Sequence, residues 1–257
     1  MGDEPALTQS NVSVGRGPMV KQSPASAQRI LHARFPECDF QHALPPLADN
    51  RRMQPNDKMS PELRRVFEFV LAVFNKHLQL PQNTTLGILS GDDWSFVIRS
   101  HAVVEGLVSA LLATELDRRL VPLFNRLELG NVDFGKLAFA KALGLLSSDQ
   151  QRFISLLSTL RNKLAHNPTH LSFNFDGYFE SLDRNQRTAF AKVLAADLSG
   201  RQREQWLTLV PVKPRATFKA RTFMTLLQLF NLAFAKDLKD LDVPHELKDL
   251  DVTKLLS

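Results

Sequence analysis

Apolar residues recur at helical spacing along this chain from about residue 60, and strand-like alternation is nearly absent. Ser60-Pro61-Glu62-Leu63 reads as a helix start, with serine at the N-cap, proline at the first helical position and an acid in the first turn. Phe67, Val70, Leu71 and Phe74 continue it as one stripe; Pro81 closes the element, and Gly87 and Gly91 predict a loop. A second helix opens at Asp92-Asp93 and runs to about Leu116. It is apolar almost all round, through Phe96, Val97, Ile98, Val103, Val104, Leu107, Val108, Leu111 and Leu112. Such a helix belongs in the middle of a bundle or at an interface. Its few polar members, Arg99, His101 and Glu105, therefore need partners, and His101 and Glu105, four apart, share a face.

Leu120 to Leu127 reads as a short helix broken by Pro122, with a turn at Gly130-Asn131. A third substantial helix is expected over Asp133 to Leu146. Ser147-Ser148-Asp149 caps a fourth that runs to His166, where Asn167-Pro168 stops it, because proline disfavours helical geometry in the residue before it. His170 to Phe175 alternates weakly and is expected to be extended. Helices resume over Tyr178 to Leu198 and Ala216 to Leu238. The expected fold is all-α, an antiparallel helical bundle over residues 59–238. Residues 1–58, rich in Pro, Ser, Gln and Asn, read as a disordered extension in which Ile30, Leu31, Phe35 and Phe40 could dock on a partner. Residues 239–257 form a tail in which Leu238-Lys239-Asp240-Leu241-Asp242-Val243 recurs as Leu247-Lys248-Asp249-Leu250-Asp251-Val252.

Composition narrows the function classes. A hydrophobic fraction of 44% with 23% charged residues lies in the globular range. The formal charge of +5 is compatible with a polyanionic partner but is too mild to demand one. Cys38 is the only cysteine, which excludes an intrachain disulfide and argues against a thiolate metal site within one chain. The acidic opening lacks an apolar run, and no stretch reaches about 18 uninterrupted apolar residues, so the expectation is a cytoplasmic protein with no membrane partner. No Walker loop, dinucleotide fingerprint or serine nucleophile elbow is present. Pro168 spoils the spacing of His166 and His170, and Cys38 with His42 lacks companions; neither a metal nor a cofactor is expected.

The fourth helix carries the candidate chemistry. With Phe153 at zero and about 100 degrees per residue, Leu157, Leu160 and Leu164 fall near zero, with Leu156 less close. Arg161 lies at about 80 degrees, Ala165 at about 120, Asn162 at about 180 and His166 at about 220. Ser155 and Ser158 share that second side. One face is leucine; the other offers small residues, open to another helix, flanked by Arg, Asn and His. Asn162 and His166 are four apart, so the amide could orient the imidazole. Against this stands a plain structural reading, in which basic side chains at a helix C-terminus stabilise its dipole.

The string Arg161-Asn162-Lys163-Leu164-Ala165-His166 resembles the signature of HEPN domains, an Arg followed by a polar residue and, a few positions on, a His. The blocks Phe134-Gly135-Lys136-Leu137-Ala138-Phe139-Ala140-Lys141-Ala142-Leu143-Gly144-Leu145-Leu146 and Ser100-His101-Ala102-Val103-Val104-Glu105-Gly106-Leu107 look like the mannitol operon repressor branch of that group. The resemblance covers roughly residues 92–170. It implies a helical bundle that dimerises with the two motif helices facing each other. It also implies a metal-independent endoribonuclease in stress response or defence. In that reading His166 handles protons at the 2′-hydroxyl or the leaving 5′-oxygen, Arg161 holds the scissile phosphate, and Asn162 positions His166. Glu105 would orient Arg161 or His101, or else form an ordinary buried pair with His101 or Arg99.

Arg99, Arg118, Arg119 and Arg126 are candidates for a basic rim along RNA, and Lys213, Arg215, Lys219 and Arg221 form a second basic run. Two further readings stand beside the nuclease. One is a non-catalytic transcriptional regulator or dimeric interaction module with a regulatory protein partner. The other is a scaffold recruiting partners through the N-terminal extension. No helix-turn-helix with a basic recognition helix stands out.

Overall fold

The computed structural model describes residues 61–240, apart from 82, 132 and 236. The Ser60 cap, the N-terminal extension with Cys38 and His42, and the second copy of the tail repeat lie outside the described residues. Those described form an all-α fold of ten α-helices with no strand among them. They are α1 (Pro61–His77), α2 (Thr84–Ser90), α3 (Asp93–Glu115), α4 (Val121–Phe124), α5 (Lys136–Ala142), α6 (Ser148–Ala165), α7 (Phe175–Ser181), α8 (Arg184–Leu194), α9 (Gly200–Leu209) and α10 (Pro214–Phe234).

The near-continuous apolar surface of α3 is explained by its position between α6 and α10. Trp94 at the start of α3 donates to the carbonyl of Leu164 near the end of α6, 3.4 Å, so these two helices run antiparallel. Asp93 meets Arg215 at the starts of α3 and α10, and Thr114 donates to the Ala233 carbonyl at their ends. That pair is parallel. By length and a mean hydropathy of 1.5, α3 could cross a membrane, yet most of it is packed inside the bundle. Around its first half the core is aromatic: Phe218 stacks on Phe175 at 4.4 Å and also meets Phe153 and Phe190.

Capping residues set several boundaries. The Ser147 hydroxyl accepts from the Gln150 amide, and the Gln150 side chain accepts from the Ser147 amide, a reciprocal pair that starts α6 where the sequence predicts. Asp92 caps α3 through the Ser95 amide. Asp183 caps α8 in the same reciprocal manner with Gln186, splitting the helix expected over Tyr178 to Leu198.

Other expectations are corrected. The loop expected at Gly87 and Gly91 contains α2, held by a buried Thr85 hydroxyl donating to Asn75 at 2.6 Å and by buried Ile88; packing outweighs the glycine. Helix α5 is shorter than Asp133 to Leu146. Asn131 accepts from the amides of Asp133 and Phe134 in a turn that wraps Gly135. A β-carbon on Gly135 would lie 2.3 Å from the Asn131 carbonyl oxygen. Of His170 to Phe175 only Phe173 and Asn174 are extended: Asn167 caps a 3-10 turn over Pro168–Ser172, and α7 begins at Phe175. Helix α9 has no counterpart in the sequence reading, since only Trp206 in it is buried.

The second basic run is largely structural. Arg221 is wholly buried; it donates to the Ala196 carbonyl and the Asp197 carboxylate and lies over the Phe153 ring. Arg215 and Lys219 both reach Asp93, and Lys219 also donates to the carbonyls of Leu89 and Gly91. Burial pulls the Lys219 ammonium below its ordinary pKa, against the opposing pull of Asp93.

Candidate functional site

Helix α6 turns its leucine stripe inward: Phe153, Ile154, Leu157, Leu160 and Leu164 are buried against α3 and its neighbours. Ser158 is buried too, facing Gly130 so closely that a β-carbon there would sit 3.2 Å from its own. Part of the small-residue face is thus covered by the chain's own loop. Ser155, Asn162, Ala165 and His166 remain exposed.

Arg161 occupies the border. It is half-buried, and Nη1 donates to Asn162 Oδ1 at 3.0 Å. The amide expected to orient His166 is therefore engaged by the guanidinium. His166 is the C-cap of α6, and its imidazole forms no hydrogen bond among the described residues. The two side chains leave one helix about 140 degrees apart around its axis, Arg161 on the inward edge and His166 toward solvent.

Near Arg161, close enough for its charge to act on His101, lies a second polar cluster. His101 is buried on α3, its Nδ1 4.0 Å from Glu105 Oε2. Glu105 Oε1 accepts from Lys136 Nζ at 2.7 Å, with the lysine side chain 2% exposed and the carboxylate 32%. Burial lowers the His101 pKa; Glu105 opposes that shift, and the charges of Arg161 and Lys136 reinforce it. At neutral pH His101 is thus a neutral imidazole between two cations and one carboxylate. His101 and Glu105 are neighbours on one face, as their spacing implies, whereas Arg99 is exposed and forms no ion pair with Glu105 among the described residues.

Lys136 was missed by sequence reasoning. A lysine at the head of an apolar string, after Gly135, was the available sign, but its acceptor lies 31 positions upstream.

The arginines of the expected basic rim are spread along the bundle. Arg99 is near the start of α3, and about 24 Å of helix separates it from the end that leads to Arg118 and Arg119. Arg119 makes a forked pair with Asp117, and Arg118 lies 3.9 Å from Asp237. Arg126 is exposed beyond α4.

Beyond the motif the chain folds back into a polar pocket of about 230 Å³. Lys163 and Leu164 line it from α6, and Thr169, His170, Phe173 and Tyr178 from the segment that follows. Lys163 Nζ sits 5.3 Å from the Tyr178 ring centroid. Burial raises the Tyr178 pKa, keeping the phenol protonated. Among the described residues no group of three or more His, Cys, Asp or Glu side chains could hold a metal ion.

Fold and site together define an all-α bundle whose longest apolar helix braces a helix with a basic, partly open C-terminal end. Comparison of the chain with family models, curated proteins and solved structures finds no match.

Proposed function

We propose that the chain is a homodimeric, metal-independent endoribonuclease of the HEPN kind, with its site built from the ends of two α6 helices. The observation that carries this reading is the divergence of Arg161 and His166 on one helix. One chain does not converge them on a phosphate, while a second α6 laid against the exposed Ser155, Asn162 and Ala165 face brings the imidazole of one copy toward the guanidinium of the other.

The chemistry follows from the groups. An imidazole can both accept and donate a proton, so His166 takes the proton of the RNA 2′-hydroxyl or supplies one to the leaving 5′-oxygen. Arg161, permanently charged and fixed by the Asn162 amide, holds the phosphate and stabilises the charge that develops on it. The 2′-oxygen attacks phosphorus, the 5′-oxygen leaves with a proton, and a 2′,3′-cyclic phosphate results.

A non-catalytic dimeric regulator of the mannitol repressor kind has one observation in its favour: Arg161 already donates to Asn162 of its own chain. Incubating the purified protein with mixed RNA in excess chelator separates the readings. Cleavage with cyclic phosphate ends, lost in Arg161→Ala and in His166→Ala, is the expected result. RNA left intact by the wild type across salt and pH favours the regulator.

A further inference from the structure

We infer that the pocket beside the motif helix, between Lys163, Phe173 and Tyr178, is a subsite for one unpaired RNA base next to the scissile phosphate. This rests on the ribonuclease reading and deepens it by naming what part of the substrate the protein grips. The position comes first: pocket residues bracket His166 in the chain, Lys163 and Leu164 before it and Thr169 and His170 after it. Lys163 lies about 60 degrees around the helix from His166. A base in the pocket is therefore held by residues three positions before and three after His166 in the chain.

The lining suits a flat, edge-polar ligand. Its volume, about 230 Å³, is below the roughly 300–1,000 Å³ of pockets that hold drug-sized ligands. Phe173 and Tyr178, 5.7 Å apart and inclined by 52 degrees, form an aromatic corner backed by Phe190. Sequence-specific RNA recognition works on unstacked bases, stacked on aromatic rings and hydrogen-bonded along their edges. The hydrogen-bonding groups are in place. The His170 imidazole and the hydroxyls of Ser172 and Tyr178 have no hydrogen-bond partner among the described residues. Asn174 uses its oxygen to accept from Gly177, leaving its amide hydrogens for a ligand. Unengaged donors and acceptors converging on a pocket are what a base edge satisfies; an aliphatic ligand would leave them unpaired. Lys163 is exposed on a flexible stem, so it can leave the tyrosine face and meet the phosphate that enters with the base.

Tyr178 is the chain's one tyrosine, so ¹³C-tyrosine labelling of the full-length protein gives a single ring signal inside the pocket. Titration with the 3′-monophosphates of the four ribonucleosides is expected to shift that signal saturably, with one base preferred, while inorganic phosphate leaves it unmoved. His170→Ala and Ser172→Ala are each expected to weaken binding by about three- to tenfold in calorimetry. Both side chains sit outside the core, so the fold survives their removal. A ring signal unmoved by every nucleotide, a shift that phosphate alone reproduces, or affinity unchanged in both variants overturns the inference. Cleavage with an unmoved Tyr178 removes the subsite and leaves the nuclease. Nucleotide binding at Tyr178 by a protein that cuts no RNA retains the pocket and removes the nuclease.

Discussion

Lys136 and Glu105 meet at 2.7 Å with unequal exposure, the lysine side chain almost wholly out of water and the glutamate side chain still about a third exposed. The two ends of this pair should therefore differ when broken. Glu105→Leu strands a buried cation and is expected to cost about 3 kcal/mol. Lys136→Met leaves a carboxylate that water can still reach, and should cost about 1 kcal/mol. Urea unfolding of the two variants checks this; equal losses would mean that Lys136 finds water or another acceptor.

The His101 pKa is lowered chiefly by burial. The unfolded chain then binds more protons than the folded one as pH drops through the ordinary histidine range near 6.5, so His101 destabilises the fold on acidification. The groups facing it are Glu105 from its own helix, Arg161 from α6 and Lys136 from α5. Replacing it by Gln should flatten the fall in stability between about pH 7.5 and 5.5 relative to wild type. Parallel curves for the two proteins would show that His101 is not the group responsible.

Arg221 staples α10 to the Ala196-Asp197 turn, and Asp197 also accepts from the Ser147 hydroxyl at the start of α6. Arg221→Ala removes the cation, the stacking on Phe153 and the partner of a largely buried carboxylate. The expected loss is about 3–5 kcal/mol. In a domain of this size that corresponds to a fall in Tm of about 6–20 °C. A fall of only one or two degrees in scanning calorimetry contradicts that role.

How much of this was legible depends on where the determining contacts lie. Helix α6 could be placed from its ends because its start and stop signals are both local, the Ser147-Ser148-Asp149 cap and Pro168. Helix α3 was placed centrally because its apolar surface leaves no solvent face. Helix α2 was missed because its glycine reads as a breaker until Asn75, from α1, engages Thr85. The turn at Pro168 and the start of α7 at Phe175, ahead of the expected Tyr178, were missed for a related reason: Asn167 and Asn174 each cap the element that follows, and capping looks like loop composition in a sequence. In the site, the shared face of His101 and Glu105 was readable from their spacing. Lys136, brought there by tertiary folding, was not. The pairing inside the C-terminal basic run was not legible because Asp93 and Asp197, which neutralise it, are distant or inconspicuous in the chain.

The central claim, that Arg161 of one copy acts with His166 of another, is tested most directly by mixing two inactive variants. Arg161→Ala and His166→Ala proteins are each expected to leave RNA uncut. After unfolding and refolding together, half of the dimers would be mixed, each with one intact site, so about a quarter of wild-type cleavage should return. If the mixture stays as inactive as its components while wild type refolded alongside cuts RNA, the shared site is contradicted.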